Sequence, residues 1–286
     1  MGEARAAASA VALALAGALL VGCGGVDAEP DALPAGVEVS LVQQRSDVAA
    51  RQAQVRVRND GDVPVTLGAV EVADPRFDGV AARVVDRVTT LSPGRGVDIR
   101  VQLPPVDCAG QDAATTTVAM EIEVGDTAYR AESDISDTLG FLPELYAREC
   151  LADALAEVAT VSIAGFTPAP TGQAGGLTLS IEPTGAGTAR LEAVDSTPLL
   201  MYVAGAPPAP LPLGIDIGPG ASATTVEIPL VPQRCDPHVV QEDKRGTIFT
   251  VDAVVGDVRG EVDIPAPPEM KARMLTWVAE WCGFGG

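Results

Sequence analysis

The chain has 286 residues, with 39 acidic against 19 basic side chains and a net charge of −20 at pH 7. A charge of that sign and size repels phosphate backbones and anionic lipid, so nucleic acid is excluded as a partner. Apolar residues make up 47% of the chain, and its 30 Gly and 23 Pro stay below the level of a disordered chain, which leaves a folded protein long enough for two ordinary domains.

Residues 1–22 have the three parts of an export signal: a short charged start with Glu3 and Arg5, an apolar core of Ala, Val and Leu, and small residues at the cut. The uncharged run from Ala6 to Gly22 is shorter than the roughly 20 residues a spanning helix needs. A cleaved signal is therefore expected, not a membrane span. Its loss removes one acid and one base and leaves the net charge unchanged.

The order Leu20-Val21-Gly22-Cys23 resembles the lipobox of bacterial lipoproteins. The resemblance implies that Cys23 is acylated, becomes the first mature residue and holds the chain on the extracytoplasmic face of the cell membrane. One acyl chain anchors only marginally, whereas two or more anchor stably. The other reading of these residues is an ordinary cleaved signal with Cys23 as a spare thiol. Residues 23–34 are small, acidic and proline-containing, as suits a short tether.

From Val37 the texture changes to alternation. Ala53, Val55 and Val57 face one way and Gln54, Arg56 and Arg58 the other; Asn59-Asp60-Gly61-Asp62 breaks the run, and Val63 to Leu67 resumes it. This predicts a strand, a turn and a strand. The turn and the strand after it resemble the N-x-G-x-x-P-V-x-L hairpins of immunoglobulin-like bacterial surface modules, which implies a β-sandwich.

The pattern then repeats. Val57, Gly94, Cys108, Gly125 and Cys150 are separated by 37, 14, 17 and 25 positions; Ile181, Gly220, Cys235, Gly256 and Cys282 by 39, 15, 21 and 26. Pro93-Gly94 matches Pro219-Gly220, and Val124-Gly125-Asp126 matches Val255-Gly256-Asp257. Before each Gly-Asp turn every second residue is apolar: Val118, Met120, Ile122 and Val124 against Phe249, Val251, Ala253 and Val255. Period-two burial leading into such a turn marks a β-hairpin. The chain reads as a tandem duplication.

Each copy is expected to end in a helix. Pro268 and Glu269 suit a helix start, and Met270, Met274, Trp277, Val278 and Trp281 form one apolar stripe. At that spacing the two tryptophans are expected to be buried against the sandwich; the other reading is an exposed docking face. In the first copy Leu142, Leu145, Tyr146 and Cys150 follow a similar course, with a short junction near Asp153 to Glu157 and a new strand from Val158 to Ile163.

With Cys23 assigned to lipid, four cysteines remain, and an even number in an exported chain reads as disulfides. Three pairings are possible. The duplication selects Cys108 with Cys150 and Cys235 with Cys282, one bridge closing each module.

His238 is the only histidine, and Asp236 and Glu242 lie near it. An imidazole with carboxylates is a metal-ligand combination. Against that, Asp236-Pro237 initiates a turn, and the first copy has no equivalent histidine, so no metal is expected. Glu242 to Gly246 reads as a solvated turn. Gly185-Ala186-Gly187 lacks the third glycine of a dinucleotide fingerprint and reads as the turn equivalent to Asn59 to Asp62. There is no G-x-S-x-G elbow, H-E-x-x-H or Walker sequence.

The expected architecture is mainly β: two tandem immunoglobulin-like β-sandwich domains, residues 35–155 and 156–286, each with a C-terminal helix. The expected function is a non-enzymatic interaction or scaffold module of the cell envelope, anchored in the membrane through lipid on Cys23, with an envelope protein as partner and no cofactor. The alternative is extracytoplasmic capture of a solute or metal ion for uptake or sensing.

Overall fold

Alternating burial becomes strand along most of the chain. The computed structural model describes residues 32–110, 115–202, 210–241 and 245–284. The leader, Cys23 and most of the tether lie outside them, as does Glu242.

The first half contains β1 (Val37–Val42), α1 (Arg45–Val48), β2 (Gln52–Asn59), β3 (Val65–Ala73), β4 (Val80–Arg83), β5 (Thr89–Leu91), β6 (Arg95–Gln102), β7 (Thr117–Val124), β8 (Thr127–Asp134), β9 (Ser136–Asp137) and α2 (Phe141–Val158). The second contains β10 (Ala159–Thr167), β11 (Gly175–Pro183), β12 (Ala189–Val194), β13 (Leu200–Tyr202), β14 (Leu211–Ile217), β15 (Thr224–Pro232), α3 (Pro237–Gln241), β16 (Ile248–Val255), β17 (Val258–Pro265) and α4 (Pro268–Trp281).

The two halves share one wiring. In the first, β2 lies between β1 and β6, β6 pairs on with β4, and β3 lies between β5 and the β7–β8 hairpin. In the second, β11 lies between β10 and β15, β15 pairs on with β13, and β12 lies between β14 and the β16–β17 hairpin. Each half is a mainly antiparallel sandwich of two sheets, which is the immunoglobulin-like class expected. In the first half β4 also pairs with β3, joining the two sheets along one edge.

The repeat landmarks are turn residues for a steric reason. Gly94 and Gly220, and Gly125 and Gly256, all have positive φ, between 58° and 83°. An L side chain is disfavoured there, so equivalent turns retain equivalent glycines.

Each half has its own hydrophobic core. One gathers side chains from Val37 to Leu145, the other from Leu151 to Val278. Met120 and Ile122 on β7 and Phe249, Val251 and Ala253 on β16 point inward, while Val124 and Val255 at the hairpin ends are half-buried. Gln54 departs from the alternation. It sits on the outer side of β2 but is buried, because α1 lies over it and Asp47 accepts a hydrogen bond from its amide at 2.7 Å.

The short junction expected at Asp153 to Glu157 is part of a helix. α2 runs unbroken to Val158, the residue expected to open the next strand, and β10 begins at Ala159 with no loop between. Phe141, Leu142 and Leu145 enter the first core; Leu151, Leu155 and Val158 enter the second. Asp137 caps the helix start, its carboxylate accepting the Leu142 N–H at 2.8 Å, where the helix dipole favours negative charge.

Candidate functional site

The cysteines pair within modules. Cys108 and Cys150 are bonded, as are Cys235 and Cys282, with Cα atoms 5.4 and 5.3 Å apart. Each bridge ties the chain that leaves the strand after the Pro-Gly turn, β6 or β15, to the helix that ends the module. On the chain-entropy model, loops of this length contribute about 4 kcal/mol each.

A second clasp runs beside the first bridge. Arg51, the one non-glycine with positive φ among the described residues, donates from Nε to Glu149 Oε1 at 2.9 Å and from Nη1 to the carbonyl of Leu103 at 2.9 Å, and also to that of Pro104. Nothing in the spacing of Arg51 and Glu149 betrays this, because the pairing depends on where α2 docks.

The helical stripe of the second module is buried, not presented for docking. Met274, Trp277 and Val278 are inside; Met270 and Trp281 are half-buried. The indole Nε1–H of Trp277 donates to the Ala169 carbonyl at 2.7 Å, and its ring meets Phe166 edge-on at 5.2 Å between centroids. Trp281 donates to the Gln173 carbonyl at 3.1 Å. Gly175 leaves room for this contact: a Cβ there would stand 3.1 Å from the Trp277 ring and 3.0 Å from the Thr167 carbonyl oxygen, close enough that one of them would have to shift. Gly185 and Gly187 both have positive φ in the turn between β11 and β12.

His238 is exposed on α3. Its backbone N–H donates to the Asp236 carboxylate at 3.0 Å, so Asp236 faces the start of α3 and not the imidazole. The described residues do bring carboxylates together elsewhere. Asp195, Asp252 and Glu261 each place an oxygen within 4.8 Å of the others. Asp252 and Glu261 are cross-strand partners on β16 and β17, and Asp195 follows β12, its N–H donating to the Thr250 carbonyl at 2.8 Å. Burial pushes the Asp195 carboxyl up, and the neighbouring charge of Asp252 pushes it the same way. Sequence spacing cannot reveal such a trio, since strand register creates it.

Asp74 and Arg76 form a deeply buried ion pair, with side chains 0% and 8% exposed and 2.7 Å between Oδ2 and Nη2. Thr116 donates to the same carboxylate at 2.6 Å. Burial acts to raise the Asp74 carboxyl. The hydrogen bonds from Arg76 and Thr116, with the charge of Arg76, outweigh it and hold the carboxyl below its ordinary value.

Among the described residues a concavity lies where α2 meets the second sandwich. A groove of about 750 Å³ is lined by Tyr146, Arg148 and Leu151 of α2 and by Val258, Arg259 and Glu261 of β17. Its volume falls within the range of small-molecule sites. Among the described residues no helix is long and apolar enough to cross a membrane.

No protein-family model and no curated protein matches this chain. Solved structures do match. The YadV chaperone is 12% identical, over 80% of this chain and 100% of its own, with a TM-score of 0.23. The Pseudomonas aeruginosa CupB2 chaperone is 14% identical, over 80% and 97%, with a TM-score of 0.24. The calcium binding domain CBD12 of CALX1.1 is 11% identical, over 78% and 79%, with a TM-score of 0.20. At these identities and scores the likeness bears on nothing beyond the class of fold.

Proposed function

We propose that this chain is an exported lipoprotein, held through Cys23 on the extracytoplasmic face of the cell membrane, that serves without catalysis as a binding or scaffold module of the cell envelope. The observation that carries the scaffold reading is α2, whose side chains belong to both cores. A helix shared in this way makes two sandwiches one stiff body, able to hold partners at a set spacing. Two disulfides within one chain suit an oxidising compartment, and the lipobox-like leader supplies the anchor. Cross-linking in intact cells, with identification of the captured neighbours, tests the proposal. Recovery of the protein in a cytoplasmic fraction with free thiols would sink it.

A second reading, capture of a small solute or metal ion for uptake or sensing, is favoured by the groove between α2 and β17. Its test is a melting-temperature screen against small solutes and divalent cations. No shift with any of them counts against capture; a saturable shift abolished by Ala154→Trp, which adds bulk at a half-buried position of the groove lining, supports it.

A further inference from the structure

Basic side chains are scarce here, yet three of them converge. Arg83 at the end of β4, Arg87 in the following loop and Arg100 on β6 line one pocket of about 240 Å³, together with Gln54, Val85 and Asp98. The positions are held from below. Arg83 donates to the Gly68 carbonyl at 2.6 Å and to Thr89 Oγ1 at 2.8 Å, and the Val84 N–H donates to the Arg100 carbonyl at 2.9 Å, pinning the loop to β6.

Two of the nearby carboxylates, Asp98 and Asp47, are already engaged. Asp98 accepts from Arg56 Nε at 3.0 Å. Asp47 accepts from Gln54 at 2.7 Å and stands 3.5 Å from Arg100 Nε, its only described charged partner. Arg83 bonds carbonyls and a hydroxyl, which satisfy its N–H groups without cancelling its charge. Arg87 makes no hydrogen bond or ion pair among the described residues. Burial pushes the Arg83 guanidinium down, the like charge of Arg87 pushes it further, and Asp86 opposes this only in part. Two cations held together, with the donors of Arg87 to spare, form a place where an anion gains on both counts.

We propose that the pocket formed by Arg83, Arg87 and Arg100 is an oxyanion site that takes the phosphoryl group of a small phosphate ester. Arg83 and Arg87, with Arg100 beside them supplying further N–H donors, match a doubly charged tetrahedral head better than a singly charged carboxylate. The exposed Val85 beside it, 57% accessible, offers an apolar wall for the organic part of the ester. The net charge of −20 repels extended polyanions at long range. A single phosphoryl group inside the pocket lies within the screening length of about 8 Å at physiological salt of Arg83 and Arg87, neither of which is in an ion pair among the described residues. The site belongs to the first sandwich alone and does not depend on the anchor or on the scaffold reading.

The test is calorimetric titration of the chain, purified as cells process it, with inorganic phosphate, phenyl phosphate and acetate at constant ionic strength. Saturable one-to-one binding of phosphate is expected, tighter for phenyl phosphate and much weaker for acetate. Arg87→Ala, an exposed change that leaves the fold intact, is expected to weaken phosphate at least tenfold. Arg58→Ala, which removes an exposed arginine from the same sheet, leaves it unchanged. Equal binding of acetate would overturn the phosphoryl assignment. Absence of saturation, or equal affinity in Arg87→Ala, would overturn the site. Vesicles of phosphatidylcholine with phosphatidic acid separate the two sources of the group: binding to vesicles without binding of soluble phosphate also overturns the proposal as stated.

Discussion

Leu145 and Leu151 lie less than two turns apart on one unbroken helix, yet each is sealed in a different hydrophobic core. Leu151 packs so closely on β17 that a Cβ on Gly260 would stand 3.0 Å from its Cδ2. The helix therefore acts as a closing element of the first sandwich and as side packing for the second.

Breaking α2 between those two leucines should reach both modules. Ala147 is exposed and lies mid-helix. Proline there removes a helical hydrogen bond and clashes with the preceding turn, a cost of roughly 3 kcal/mol. Ala147→Pro should lower amide exchange protection in β1 to β8 and in β10 to β17 alike. Loss confined to the first sandwich would show that the shared helix does not couple them.

The bridges should differ in reach for the same reason. Cys108–Cys150 holds α2, so its loss is expected to destabilise the first module by about 4 kcal/mol and to loosen the second as well. Cys235–Cys282 holds α4, which closes only the second module, and its loss should leave the first untouched. Denaturant unfolding of the two double-alanine variants, followed by exchange in each module, checks the asymmetry.

Two carboxylates should give opposite pH responses. The lowered carboxyl of Asp74 contributes stability that is present above the ordinary value of 3.8 and is lost as pH falls through its depressed folded value. Asp74→Asn is thus expected to destabilise at neutral pH, with the difference from wild type shrinking in acid. Asp195 is raised, so its contribution is fully present below the ordinary value and lost as pH rises through the folded one. Asp195→Asn should stabilise at neutral pH and match wild type in acid. Midpoints of denaturant unfolding across that range decide both signs; a neutral-pH loss for Asp195→Asn would contradict the repulsion argument.

At the turn before α3, Asp236 should matter more than His238. Asp236→Ala removes a capping hydrogen bond, typically about 1 kcal/mol, while His238→Ala at an exposed position should stay within about 0.5 kcal/mol. No stoichiometric zinc or copper is expected in the purified protein. One equivalent of metal, lost in His238→Ala, would make the histidine a ligand and promote the metal-capture reading.

The proposed anchor rests on one atom. Cys23→Ala is expected to abolish lipid labelling and to release the chain from the membrane fraction; labelling that persists would place the acyl group elsewhere.

What could be read directly from the residues was what local sterics and chain repetition impose. Alternation on β7 and β16 reports a half-buried strand because successive side chains point to opposite faces. Gly125 and Gly256 report turns because other residues resist positive φ. The cysteine pairing was legible only because the pattern occurs twice, which turned three possibilities into one. The tertiary structure decided everything that depends on register and docking. Asp195, Asp252 and Glu261 meet because β12, β16 and β17 pair at one offset, and a shift of one residue would turn them to the opposite face. Arg83 and Arg100 line one pocket because β4 pairs with β6, which no local spacing shows. Helix through Asp153 to Glu157 was hidden for a related reason: Leu151 and Leu155 are held helical by β17 and β10 against them, and tertiary packing supplies most of a helix's stability.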